Sequence, residues 1–187
     1  MLLLVAGMAV GALAWALLIY NRLVALGKRA EGAWSDIDVQ LKRRHDLVGN
    51  LVEAVKGYAH HEHSVLERVA AARSMAEEAR AGGGPAVAGT AEAGLSNAMG
   101  RLIALAEAYP DLKASERFAD LQQSLTDVED DLQNARRYYN AVVRDFNTRV
   151  ESLPDLVVAR PFGFREREFF ALDDRREAAA PRVEMAT

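Results

Sequence analysis

The chain has 187 residues, half of them hydrophobic and 27% charged, with a formal net charge of -4. That is enough for one packed domain and an additional segment. The acidic balance excludes a general nucleic-acid binder, which carries a basic excess. The absence of cysteine excludes a disulfide scaffold, a thiolate nucleophile, an iron–sulfur cluster and a cysteine zinc site.

Met1 to Tyr20 contain no charged side chain. A helix of that length spans roughly 30 Å, the thickness of a bilayer's hydrocarbon core. Trp15 and Tyr20 suit its polar boundaries. The competing reading is a cleaved signal peptide with Ala12-Leu13-Ala14 at the cleavage site, but such a peptide has a basic n-region and a shorter apolar run. No Lys or Arg precedes this run, so residues 1–20 are read as a membrane anchor in contact with lipid. Arg22, Lys28, Arg29, Lys42, Arg43 and Arg44 follow it, which predicts an outside N-terminus and a cytoplasmic body in a single-pass membrane protein. Gly7 and Gly11 form a G-x-x-x-G pair, read either as a close-approach surface between membrane helices or as small residues of an alanine-rich helix.

Residues 21–170 form the body. Leu23, Ala30, Trp34, Ile37, Leu41, Val48, Leu51, Val55, Tyr58, Val65, Val69, Ala72 and Ala76 recur at alternating steps of three and four, with Gly27, Arg44 and Glu62 in the same register. This 3.5-residue period marks a helix facing a partner. It predicts one helix from Tyr20 to about Arg80, or two joined at a kink for which Gly49 is the weak point. Ala81 to Gly89, with Gly82-Gly83-Gly84-Pro85, reads as a loop. A second helix carries Leu95, Ala98, Leu102, Leu105 and Tyr109 and stops at Tyr109-Pro110. Ser115 is the expected N-cap of a third, whose seam runs through Phe118, Leu121, Leu125, Val128, Leu132, Ala135, Tyr139, Val142, Phe146 and Val150 before Pro154. The expected fold is all-α, an anchor helix continuing into an antiparallel, coiled-coil-like bundle of three main helices. Unequal helix lengths leave part of a seam uncovered in this scheme, which predicts a homo-oligomer.

Leu156 to Phe170 is apolar but interrupted by Arg160, Arg165 and Arg167. It reads as a return segment on the bundle end, with a docking or membrane-surface element as the alternative. Residues 171–187 are charged, alanine-rich and unpatterned, which predicts disorder.

Three stretches carry a family resemblance. The first is Tyr20-Asn21-Arg22-Leu23-Val24 followed by Trp34 to Leu47, and the second Asn50-Leu51-Val52-Glu53 with Val55-Lys56-Gly57-Tyr58. The third runs from Glu107-Ala108-Tyr109-Pro110-Asp111-Leu112-Lys113 through Ala135-Arg136-Arg137-Tyr138-Tyr139-Asn140 to Phe162-Gly163-Phe164. In this order they resemble the LemA family of bacterial membrane proteins. Gly49 departs from the family, which commonly has proline there. The resemblance implies a single membrane helix and a cytoplasmic helical domain, and it implies no reaction and no catalytic residue.

His60, His61, Glu62 and His63 form one cluster with metal-ligand chemistry, since His60 and His63 share a helical face. A solvated face is the plainer reading, and the H-E-x-x-H spacing is absent. Asp127, Glu129, Asp130 and Asp131 fall on several faces of one helix, so they do not converge as a catalytic pair does. No cofactor is expected. The polar residues of interest lie on or beside the seams: Arg44 and Glu62 in the first helix, Asn140 and Asn147 in the third. Buried, each needs a partner, and such pairs fix register and assembly. With Trp34, Tyr139, Phe162 and Phe164 they are the candidate packing and assembly residues. The expected function is a membrane-anchored, self-assembling scaffold or adaptor without catalysis, with other membrane proteins as further expected partners. The alternatives are a lipid-remodelling protein and a metal-dependent hydrolase using His60, His61 and His63.

Overall fold

The computed structural model describes residues 1–59 and 62–170. Six helices follow in order: α1 (Leu2–Lys56), α2 (His63–Gly82), α3 (Gly84–Ala106), α4 (Pro110–Lys113), α5 (Glu116–Glu151) and α6 (Leu156–Ala159). No strand occurs among the described residues, so the fold is all-α, with long helices packed through their apolar faces. The tail expected to be disordered, residues 171–187, lies outside the described residues, as do His60 and His61.

The start of α1 differs from the rest of the chain. Leu3, Met8, Leu13 and Leu18 are all more than half exposed, and burial begins abruptly at Ile19. An apolar surface of this length with nothing packed on it matches a bilayer rather than water, and α1 is long and apolar enough there to cross one.

The chain divides into two compact units. The first comprises Met1–Leu41 and Glu129–Phe169. Its core includes Ile19 and Leu23 of α1, Phe146 and Val150 of α5, and Val158 and Ala159 of α6. The second comprises Lys42–Val128 and, of the described C-terminal residues, Phe170. Its core gathers Val48, Leu51, Val69, Leu95, Leu102 and Phe118 among others. Burying a side chain of this size stabilises by about 1.5–3 kcal/mol.

Both long seams are covered within a single chain. Leu23, Ile37, Leu41, Leu51, Val55, Val128, Leu132, Phe146 and Val150 are all buried. The expectation of an uncovered seam is therefore corrected: because the first expected helix breaks after Lys56, α2 and α3 share a core with α1 in one unit, and α6 with the return segment does so in the other.

The break in the first seam also falls elsewhere than expected. Gly49 lies inside α1, and the helix ends at Lys56, where the Tyr58 and Ala59 amides both donate to the Val55 carbonyl. Val48 and Leu51 beside Gly49 are fully buried, and their packing outweighs the roughly 1 kcal/mol that glycine costs a helix. At Gly57 the neighbours Lys56 and Tyr58 are exposed, so no comparable packing opposes termination. Tyr58 leaves the seam as a result, and Glu62 occupies the non-helical entry to α2, half-buried, instead of a core position.

A Cβ on Gly49 would sit 3.3 Å from Nη1 of Arg73, the far end of a flexible side chain whose Nη2 pairs with Glu77 at 2.9 Å. Gly49→Ala is therefore expected to stabilise the chain by about 0.5 kcal/mol, part of the roughly 1 kcal/mol propensity gain. Thermal melts of the full chain in mild detergent measure this, and a loss of stability would mean that Arg73 is fixed against α1.

The expected loop at 81–89 shrinks to Gly83, because Ala86 to Gly89 already belong to α3. A Cβ on Gly83 would come within 2.7 Å of Val87 and 2.8 Å of the Ala79 carbonyl, and Gly84 has φ +73°. Only glycine fits both positions, and Pro85 is pre-set for the first turn of α3. The reversal thus needs two residues, and α2 packs on α3. Tyr109 is extended before Pro110, and α5 begins directly after Ser115.

In the first unit the segment after α5 is a return segment, as one of the two sequence readings has it. Gly163, at φ +73°, ends the short α6 turn, and the Phe164 amide donates to the Ala159 carbonyl. The chain then runs without regular structure along α5.

Candidate functional site: paired polar groups inside the bundle

In the second unit, Arg44 and His45 on α1 meet Glu92 on α3. Arg44 Nη1 donates to Glu92 Oε2 at 2.6 Å, and His45 Nε2 lies 2.6 Å from Oε1. Arg44 Nη2 donates to Ser96 Oγ at 2.6 Å, and that hydroxyl donates to the Glu92 carbonyl at 3.0 Å. The Glu92, His45 and Arg44 side chains are 1%, 2% and 4% exposed. Desolvating a carboxylate costs several kcal/mol, and only close, well-shaped partners offset it. Here both carboxylate oxygens are occupied. His45 Nδ1 is buried without a hydrogen-bond partner.

Arg44 thus meets an acid of a facing helix. The acid itself and His45 escape a reading of the seams, although Glu92 was within reach. It lies on the line Ala88, Glu92, Leu95, Met99, Leu102 and Ala106, all buried and all at steps of four and three. Extending the α3 seam backwards from Leu95 arrives at Glu92.

In the first unit, the polar residues attach the return segment. Asn147 Nδ2 donates to the Arg167 carbonyl at 2.9 Å, and the Arg167 amide donates to Asn147 Oδ1 at 2.8 Å. Arg167 Nη2 also donates to Glu31 Oε1 at 2.9 Å, while its guanidinium lies 5.4 Å from the Phe146 ring centre. Hydrogen bonds from Lys28 and then Arg167 hold the Glu31 carboxyl below its usual range. Tyr139 Oη donates to the Glu168 carbonyl at 2.8 Å, and burial pushes the phenol upwards. Trp34 packs on Tyr139 with ring centres 5.7 Å apart. Tyr20, where the apolar stretch ends, packs on Phe162 at 5.0 Å and on Phe164 at 5.6 Å.

The structure therefore brings Trp34 together with Tyr139, and groups Asn147 with the return segment that carries Phe162 and Phe164. Asn140 is buried on α5. Glu62 joins none of these groups. His63 opens α2 and is exposed. Among the described residues no three His, Asp or Glu side chains are placed to hold a metal ion, while the His60/His61 part of the hydrolase reading lies outside them.

What these contacts do chemically is fasten helices to one another. The Arg44, His45 and Glu92 side chains face each other inside the bundle, whereas the Arg167–Glu31 pair lies at its surface. Fold and site together define a membrane-associated, all-helical protein. The chain belongs to the LemA family, whose profile matches residues 33–185. It is 29% identical over 178 residues to the magnetosome protein MamQ of Magnetospirillum gryphiswaldense and to the magnetosome proteins MamQ 1 and MamQ 2 of Paramagnetospirillum magneticum. These matches cover 82% of this chain but 65% of each relative, so the chain spans just under two thirds of their length.

Proposed function

We propose that this chain is a membrane-anchored helical scaffold of the bacterial cell envelope, with residues 1–20 in lipid and the body on the cytoplasmic side. It performs no catalysis and assembles with further copies of itself. The observation that carries this reading is the buried pairing of Arg44 and His45 with Glu92, an arrangement that fixes helix register and occupies both carboxylate oxygens. The uncovered start of α1 supports the anchor, and the basic residues from Arg22 to Arg44 support its orientation.

With both body seams internally covered, self-assembly draws on the anchor. Gly7 and Gly11 leave open space on its surface and permit close approach of a second membrane helix. The mass of the full chain extracted in mild detergent is expected to correspond to two or more copies. A monomer would remove self-assembly from the reading.

A further inference from the structure

We propose that an arginine-lined groove in the first unit, beside the end of the apolar stretch, binds the headgroup of an anionic phospholipid. This deepens the anchor reading and rests on it. The groove encloses about 740 Å³. Arg22, Leu26 and Arg29 of α1 form one wall, at positions i, i+4 and i+7 of a single helical face. Arg144, Thr148 and Arg149 of α5 form the other. Asp145 is the one acid among the lining residues, against four arginines.

Among the described residues Arg22, Arg29 and Arg144 form no ion pair, whereas Arg149 bonds Asp155 at 3.0 Å. Three unpaired guanidinium groups around one concave space repel one another and favour an anion. The planar fork of arginine matches a phosphate's oxygens two at a time.

Position selects the source of the phosphate. Arg22 lies two residues beyond Tyr20, about 3 Å along the helix, and therefore within the polar layer flanking the hydrocarbon core. A second observation puts the same end of the unit at lipid. Leu153, Val157 and Phe162 are 74%, 60% and 64% exposed, and Phe162 packs directly on Tyr20. Such side chains are a liability in water and favourable at the boundary between headgroups and acyl chains. The arginines then meet the headgroup while these apolar side chains meet the upper acyl chain.

Native mass spectrometry of the full chain in mild detergent tests this, using phosphatidylglycerol, phosphatidylcholine and inorganic phosphate as probes. Retained phosphatidylglycerol is expected to exceed phosphatidylcholine by about tenfold or more. It should fall by a similar factor in Arg22→Gln/Arg29→Gln/Arg144→Gln and stay unchanged in Arg117→Gln, a control on α5 outside the groove. Arg22→Gln and Arg144→Gln alone, one on each helix, should each lower retention about threefold, which covers the case that the triple variant fails to fold. Equal retention of the two lipids, full retention in the variants, or displacement of the lipid by equimolar inorganic phosphate would overturn the proposal. Because the protein is in detergent, a failed groove does not imply a failed anchor.

Discussion

Glu92→Ala is expected to lower the stability of the folded chain by about 3–5 kcal/mol, the cost of removing one member of a buried ion pair and stranding the others. The lost methylene contacts are a minor part. Arg44 and His45 would keep their buried positions on α1, facing a cavity where two carboxylate oxygens at 2.6 Å had been, and Ser96 would no longer sit in a closed ring of donors and acceptors. The informative contrast is Arg44→Met/His45→Leu/Glu92→Met. Replacing all three polar groups by apolar ones of similar size removes the desolvation cost together with the attraction, so this variant should fall within about 1–2 kcal/mol of the parent or exceed it. Urea unfolding of the full chain in mild detergent measures both. A single variant as stable as the parent would mean that water, not Glu92, satisfies Arg44.

Asn147→Ala should cost about 1–2 kcal/mol, since it leaves the part-buried amide and carbonyl of Arg167 without their partner, at the lower end of the roughly 1–3 kcal/mol that a buried unsatisfied group costs. Asn147 bonds both the amide and the carbonyl of Arg167 in the return segment. The Arg167 side chain remains tied to Glu31, but that link is exposed and weak. The loss should therefore be local as well as global. Backbone amides at 165–170 should exchange with solvent about tenfold faster or more, while those of α2 and α3 keep their relative protection. Uniform loss across the chain, or none at 165–170, would contradict the assignment of Asn147 as the clasp of this segment.

The sequence patterns conveyed the helices well because burial in a bundle repeats every three or four residues, and Leu23 to Val55 and Phe118 to Val150 hold that repeat almost without fault. Helix ends were harder. Gly49 and Gly57 look alike to a propensity scale, and what separates them is the packing of their neighbours, which is a property of the folded chain. The reversal at Gly83 reads from sequence as a nine-residue loop, since three glycines reveal flexibility but not that two suffice. Within the site, Arg44 was visible as a charge in the wrong register, and Asn147 as an amide beside a seam. The pairings were not: Glu92 is reachable as a seam position but lies 48 residues from Arg44, and Arg167, which Asn147 holds by its backbone, reaches Glu31 136 residues away. Pairing over such distances is decided by which faces meet, and no local spacing encodes it.

The proposed cytoplasmic placement of the body requires α1 to cross the bilayer once, and the absence of native cysteine allows a direct measurement. Gly32 is exposed, with open space at its Cβ position, so Gly32→Cys supplies a single label site just past the anchor without disturbing packing. In intact bacterial cells permeabilised only through the outer membrane, a membrane-impermeant maleimide should leave this cysteine unmodified, and disruption of the inner membrane should make it fully reactive while the protein stays in the membrane pellet after alkaline washing. Labelling before disruption would place the body on the opposite side, and release by the alkaline wash would show that the apolar stretch does not cross the bilayer.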